Sequence, residues 1–278
     1  MEPRTSFRKA WSVVYPILLY YVINYLVVLL LAMLTQAVGG IYQGVFAAFI
    51  RNHSASLSAG MKGIGMLAGM VAAIPAWKQE SGTKLPLAGF GKREDTTDSD
   101  RGRKIKKLLI GSFMGIVTAL FLNSLFTLLH VTESSQTFDS VAAVQFSVPF
   151  LLGIVLYGVV APLSEEVLFR GIVFRRMKRL YSVPIALIGS AIFFGAFHGN
   201  LVQAIYGTIM GLFLAYLYEI SGDFWVPLCF HSGANLAVFI TVSIELCKLY
   251  VFSVSGCIVL GVLLIIISLL AWKYKIFK

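Results

Sequence analysis

Apolar runs of about twenty residues recur along the chain, and each is long enough to cross a bilayer as a helix. The first extends from Trp11 to about Thr35. It is too long for a signal-peptide core and lacks a small-residue cleavage site, so it reads as a retained span. The second, residues 59–77, carries Gly65-x-x-x-Gly69, a spacing that lets helices pack closely. The third covers about Leu108 to His130. The fourth starts near Ser147 and ends at Arg175-Arg176-Met177-Lys178-Arg179. Runs at about 183–198, 201–219, 224–243 and 250–272 complete eight. Residues 36–58 fit no single template: Ala37 to Ile50 is apolar, short and Gly-rich, and it extends the first helix, dips into the membrane or lies in the interface. Long alternating strands are absent, which argues against a β-barrel. The pattern predicts an all-α polytopic membrane protein of about eight transmembrane helices.

Composition agrees: of 278 residues, 58% are hydrophobic and 13% charged, a profile foreign to soluble domains. Charge adds orientation. A formal +10 would suggest nucleic acid in a soluble chain, but nineteen of the 23 basic residues lie in four clusters beside spans. The positive-inside rule and anionic lipid explain them, and no nucleic-acid partner is expected. Residues 78–107 hold nine basic and five acidic residues and read as a cytoplasmic loop, mobile around Arg93–Arg103. Residues 131–146 hold no Lys or Arg and read as an outer loop. Eight spans then put both termini in the cytoplasm, in keeping with a multi-pass protein of the cell membrane. Cys229, Cys247 and Cys257 form no CxxC and suggest neither a disulfide framework nor a metal site.

The fourth run carries the chemistry. Glu165, Glu166 and Arg170 lie inside an apolar helix pattern, where each central carboxylate costs about 2.5–3.5 kcal/mol to insert. A structural ion pair, or a span edge reaching water, is the plain alternative; one pair, however, needs only one Glu. At about 100° per residue, Glu166 and Arg170 share a face, whereas Glu165 and Arg170 lie about 140° apart. Glu166 thus has an intrahelical partner and Glu165 has none. A carboxylate without a fixed cation is free to take a proton, as a general base must. Pro162, one turn earlier, should loosen or kink the helix and free a carbonyl.

Later runs add His198, His231 and Asn235, the last two four residues apart and so on one helix face. Either histidine alone reads best as an interfacial or packing residue. Two histidines, two carboxylates, an Asn and an Arg on three of the last five spans favour convergence, because polar groups in spans face one another. There is no HExxH and no Gly-x-Ser-Gly, and Gly222-Asp223 has no second intramembrane Asp. Zincin-like, rhomboid-like and aspartyl-protease sites therefore find no support.

Glu165-Glu166-x-x-x-Arg170, Phe194-x-x-x-His198 and His231-x-x-x-Asn235, in that order on successive helices, resemble the CPBP family. These are the CAAX proteases and bacteriocin-processing enzymes, also called Abi, and they include the type II CAAX prenyl endopeptidases. The resemblance covers roughly residues 110–245. It implies an all-helical intramembrane protease with a chamber open towards the cytosol. Carried over, Glu165 and His198 would activate a water, His231 and Asn235 would stabilise the oxyanion, and Glu166 with Arg170 would support the site. No cofactor is expected; Asn235 beside His231 suits a donor pair. Zinc is the alternative, with Glu165, His198 and His231 as ligands.

The expected division is a two-span region with a basic loop (1–107), a catalytic core (108–245), and a last span with a basic tail (246–278). The expected activity is hydrolysis of a peptide bond in a prenylated, leader or membrane-anchored substrate. Other readings are a non-catalytic bacteriocin-immunity or regulatory partner on the same fold, and a transporter. No inverted repeat supports the transporter.

Overall fold

The computed structural model describes residues 3–42, 44–81, 98–132 and 135–277, and among them there is helix but no strand. Seven helices are long and apolar enough to cross a membrane: α1 (Pro3–Ile41), α3 (Ser54–Ser81), α4 (Asp98–Leu128), α6 (Phe150–Leu180), α8 (Leu201–Ser221), α9 (Trp225–Ser243) and α11 (Val254–Lys273). Shorter helices intervene at α2 (Val45–Asn52), α5 (Gln136–Phe146), α7 (Val183–Ala196) and α10 (Glu245–Val251). The chain is an integral, multi-pass, all-α membrane protein.

α6 is the central helix. Val167, Leu168, Ile172 and Val173 have no exposed surface, and Phe169, Arg170 and Phe174 almost none. Helices α1, α3, α7, α8 and α9 pack around it. At the periphery, only 11% of the most apolar stretch of α1 and of α11 is buried, against 50% for α6 and α9, so the outer two present their side chains to lipid. Small residues set the close crossings. A Cβ on Gly69 would come within 2.7 Å of the Tyr20 carbonyl, which fixes α3 against α1; one on Gly211 would come within 2.9 Å of Ala191 Cα, which fixes α8 against α7.

Several boundaries differ from the sequence reading. The fifth apolar run forms the 14-residue α7, about 21 Å long and short of a roughly 30 Å hydrocarbon core. It ends at Ala196 in a turn that contains Gly199 at φ +83. The stretch 78–107 is not all loop: α3 continues to Ser81 and α4 begins at Asp98, with 82–97 outside the described residues. Residues 36–41 extend α1, and 45–52 form α2. The outer loop contains α5, whose N-terminus is capped by Ser135 accepting from Phe138 N–H at 3.2 Å. Pro162 is accommodated by a π-helical turn at Leu156–Val160 just before it, the widened backbone giving room to a ring that would clash with the carbonyl four residues back. A second π turn, Phe169–Phe174, had no proline to announce it.

Candidate active site

The site is built on the buried middle of α6, between its two π turns. Glu166 is fully buried, and its Oε1 accepts from Arg170 Nη1 at 3.1 Å. Arg170 Nη2 donates to the Gly211 carbonyl of α8 at 3.2 Å, and the guanidinium lies 4.6 Å over the Phe194 ring of α7. The i, i+4 pairing expected from helix geometry is present.

The same Glu166 Oε1 also meets His231 Nδ1 of α9 at 2.8 Å. An ionised carboxylate only accepts, so Nδ1 carries the hydrogen and the tautomer is fixed. The other nitrogen of His231, Nε2, lies 3.7 Å from Glu165 Oε2. Glu165 keeps 17% of its side chain exposed and makes no hydrogen bond among the described residues. The two adjacent acids therefore occupy different environments: one is enclosed and shared by two cationic-type donors, the other faces open space beside an imidazole.

His198 sits in the turn after α7, its backbone N–H bonded to the Gly195 carbonyl at 3.1 Å. Its Nδ1 donates to the Phe194 carbonyl at 2.8 Å, which leaves Nε2 as an acceptor. The Phe194 ring lies edge-on to both histidines, with centroids 4.9 Å from His198 and 5.6 Å from His231. Arg170, His198 and His231 thus gather around one aromatic ring, and His231 brings Glu166 and Glu165 beside it. Asn235 is half-buried on α9, one turn beyond His231, and bonds to none of them among the described residues.

Among the described residues no three His, Cys, Asp or Glu side chains are grouped to hold a metal ion. Glu165, His198 and His231, the set a zinc ion would require, are not such a group; both histidines bond through Nδ1 and keep Nε2 open, an arrangement that metal-ligating histidines share.

Two tyrosines of α1 went unread. Tyr21 stacks on Phe197, next to His198, at 4.4 Å, and Tyr20 lies edge-on to Tyr21 at 5.0 Å. Both tyrosines lie in the field of Glu165. Their signal was a pair of polar-tipped rings within an otherwise apolar run. A second unread feature is a buried ion cluster at the end of α6. Glu80 of α3 holds Arg176 Nε at 2.8 Å and Arg179 Nη1 at 2.8 Å, and Arg176 also donates to the Tyr15 hydroxyl at 3.2 Å and to Gln79 at 3.1 Å.

Residues 147–237 match the profile of a family described as Type II CAAX prenyl endopeptidase Rce1-like. A Bacillus subtilis (strain 168) protein named "Putative membrane peptidase YdiL" is 29% identical over 110 residues, or 40% of this chain and 44% of that protein. The aligned part thus spans less than half of that relative's length. No solved structure matches the chain. The CPBP-type resemblance read from the three motifs is borne out over the segment that carries all of them.

Proposed function

We propose that this chain is an intramembrane endopeptidase that hydrolyses a peptide bond in a membrane-associated substrate, with a prenylated, leader or membrane-anchored peptide as the substrate class. One observation carries the reading. Of two adjacent acids, Glu166 is fully buried and its Oε1 is bonded to both Arg170 and His231, while Glu165 accepts no hydrogen bond among the described residues and keeps an exposed edge. A brace needs only the first; the second suits a general base.

In this reading a water lies between Glu165 and the acceptor Nε2 of His198. Glu165 takes its proton as the oxygen adds to the substrate carbonyl. His231, donating from Nδ1 to Glu166, donates from Nε2 to the developing oxyanion when it carries both protons. The two carboxylates, Arg170 and His231 then sum to zero charge, which suits a site inside a membrane. The side-chain amide of Asn235, one turn away, supplies a second donor. Glu166 and Arg170 hold the ring in place. No step is routed through a metal. The chamber is assigned to the cytoplasmic side of the cell membrane because the basic residues cluster at that end; with the short α7 counted as an eighth crossing, both termini share that side.

The test uses purified full-length chain with a library of membrane-inserted peptides, wild type beside Glu165→Gln, with and without a strong chelator. Cleavage that persists in chelator and disappears in Glu165→Gln supports the reading. Cleavage that chelator abolishes and added zinc restores would replace it with a metalloprotease.

A further inference from the structure

Away from the catalytic cluster, the chain ends in a folded-back turn. After α11, Ile276 N–H returns to the Ala271 carbonyl at 3.0 Å and Lys275 N–H to the Trp272 carbonyl at 3.1 Å. Lys275 adopts φ +48, a left-handed conformation that a lysine seldom takes. Phe277 and Ala271 are both buried in the main core, and that burial holds the turn closed. The turn aims Lys275 and Tyr274 at the start of α4. Together with Arg103, Lys106 and Ile276 they line a cavity of about 310 Å³.

Among the described residues, three cations line this cavity and no carboxylate does. Asp100 on α4 is 4.0 Å from Arg103, with both side chains more than half exposed, so it offsets little. The depth is also defined. Arg103 and Lys106 stand just before the apolar run that begins at Leu108, and the exposed rings of Trp272 and Tyr274 mark the level where aromatic side chains meet headgroups. Below it on α4, Ile105, Leu109 and Phe113 are exposed at i, i+4 and i+8, forming an apolar stripe along the helix.

We propose that this cleft binds the phosphodiester headgroup of an anionic phospholipid, with its acyl chains against the α4 stripe. The cations pair with the phosphate oxygens, and the Tyr274 hydroxyl is available as a further donor. The stripe distinguishes a lipid from free phosphate, which would have no use for it. Bound lipid ties the C-terminal turn to the start of α4 at the interface.

The experiment compares two triple variants of the full chain in detergent: Arg103→Gln/Lys106→Gln/Lys275→Gln, which strips the cleft, and Arg101→Gln/Lys104→Gln/Lys107→Gln, which removes the same charge from elsewhere on α4. Binding of dioleoylphosphatidylglycerol is read by native mass spectrometry and by the shift in melting temperature, with dioleoylphosphatidylcholine and inorganic phosphate in parallel. Each interfacial cation contributes roughly fivefold in affinity, so the cleft variant should bind phosphatidylglycerol on the order of 100-fold more weakly than wild type, with the control much less affected. Equal losses in the two variants would leave only diffuse surface attraction and overturn the site. Inorganic phosphate matching phosphatidylglycerol in stabilisation, or phosphatidylcholine binding as well, would overturn the lipid assignment.

Discussion

α6 holds two buried Glu–Arg clusters, and they are built on opposite principles. The Glu80–Arg176 cluster joins α3 to α6 and reaches Ser12 and Tyr15 of α1. Both carboxylate oxygens are engaged, Oε1 by Arg176 and Arg179 and Oε2 by Arg179, and every nitrogen of Arg176 has an acceptor. The Glu166–Arg170 cluster closes within one helix, yet it leaves Glu166 Oε2 and Arg170 Nε without partners among the described residues and draws in His231 instead. Buried polar groups are normally satisfied, and an exception calls for a reason. The Glu80 cluster is a completed clamp. The Glu166 cluster is incomplete as structure: Oε1 alone takes both Arg170 and His231, and Oε2 and Arg170 Nε stay open.

Replacing Glu80 should have the largest effect on stability. Glu80→Gln strands the almost fully buried Arg176, and breaking a buried pair costs about 3–5 kcal/mol. The melting temperature in detergent should fall steeply, while turnover per folded molecule stays near wild type; a matching loss of turnover would erase the contrast between clamp and site. Glu166→Gln and Arg170→Met should each cost a similar amount, because Arg170 cannot shed its charge. Measured as a double-mutant cycle, the double change should cost less than the sum by about 0.5–3 kcal/mol. Strict additivity would mean that the two do not act as a pair. Arg179→Gln should matter least. Its side chain is 58% exposed, so about 0–1 kcal/mol is expected, and a Tm change as large as that of Glu80→Gln would place the clamp's strength in the wrong arginine.

The site was more legible than the frame around it. Glu166 and Arg170 could be paired from the sequence because both lie on one helix and the 100° step fixes their faces. The link from Glu166 to His231 could not, since it crosses 65 residues and depends on how α9 packs against α6. That link gives Glu166 a direct bond to a residue cast for the chemistry, where the sequence showed only a brace. The clamp was hidden for a related reason: Arg175–Arg179 has the composition of an interfacial anchor, and nothing local shows that Glu80, 96 residues earlier, turns Arg176 inward. Tyr20 and Tyr21 lay in a run whose apolar periodicity was already explained by lipid. The eight apolar runs were legible, but among the described residues only seven form helices long enough to cross, because α7 stops short and leaves His198 in a turn. Hydropathy records apolar length and cannot register that cost.

The central claim is that the two neighbouring glutamates divide the labour, and one paired measurement tests it most directly: turnover per folded molecule and melting temperature for Glu165→Gln beside Glu166→Gln. Glu165 accepts no hydrogen bond among the described residues and is partly exposed, with His231 Nε2 no nearer than 3.7 Å, so Glu165→Gln should melt close to the wild type and lose about 10²–10⁴-fold in turnover, the usual contribution of a positioned acid–base group. Glu166→Gln should lower the melting temperature and, by releasing His231, lower turnover as well. A Glu166→Gln protein that is stable but inactive, beside a Glu165→Gln protein that is active or unstable, would contradict the assignment and exchange the roles of the two acids.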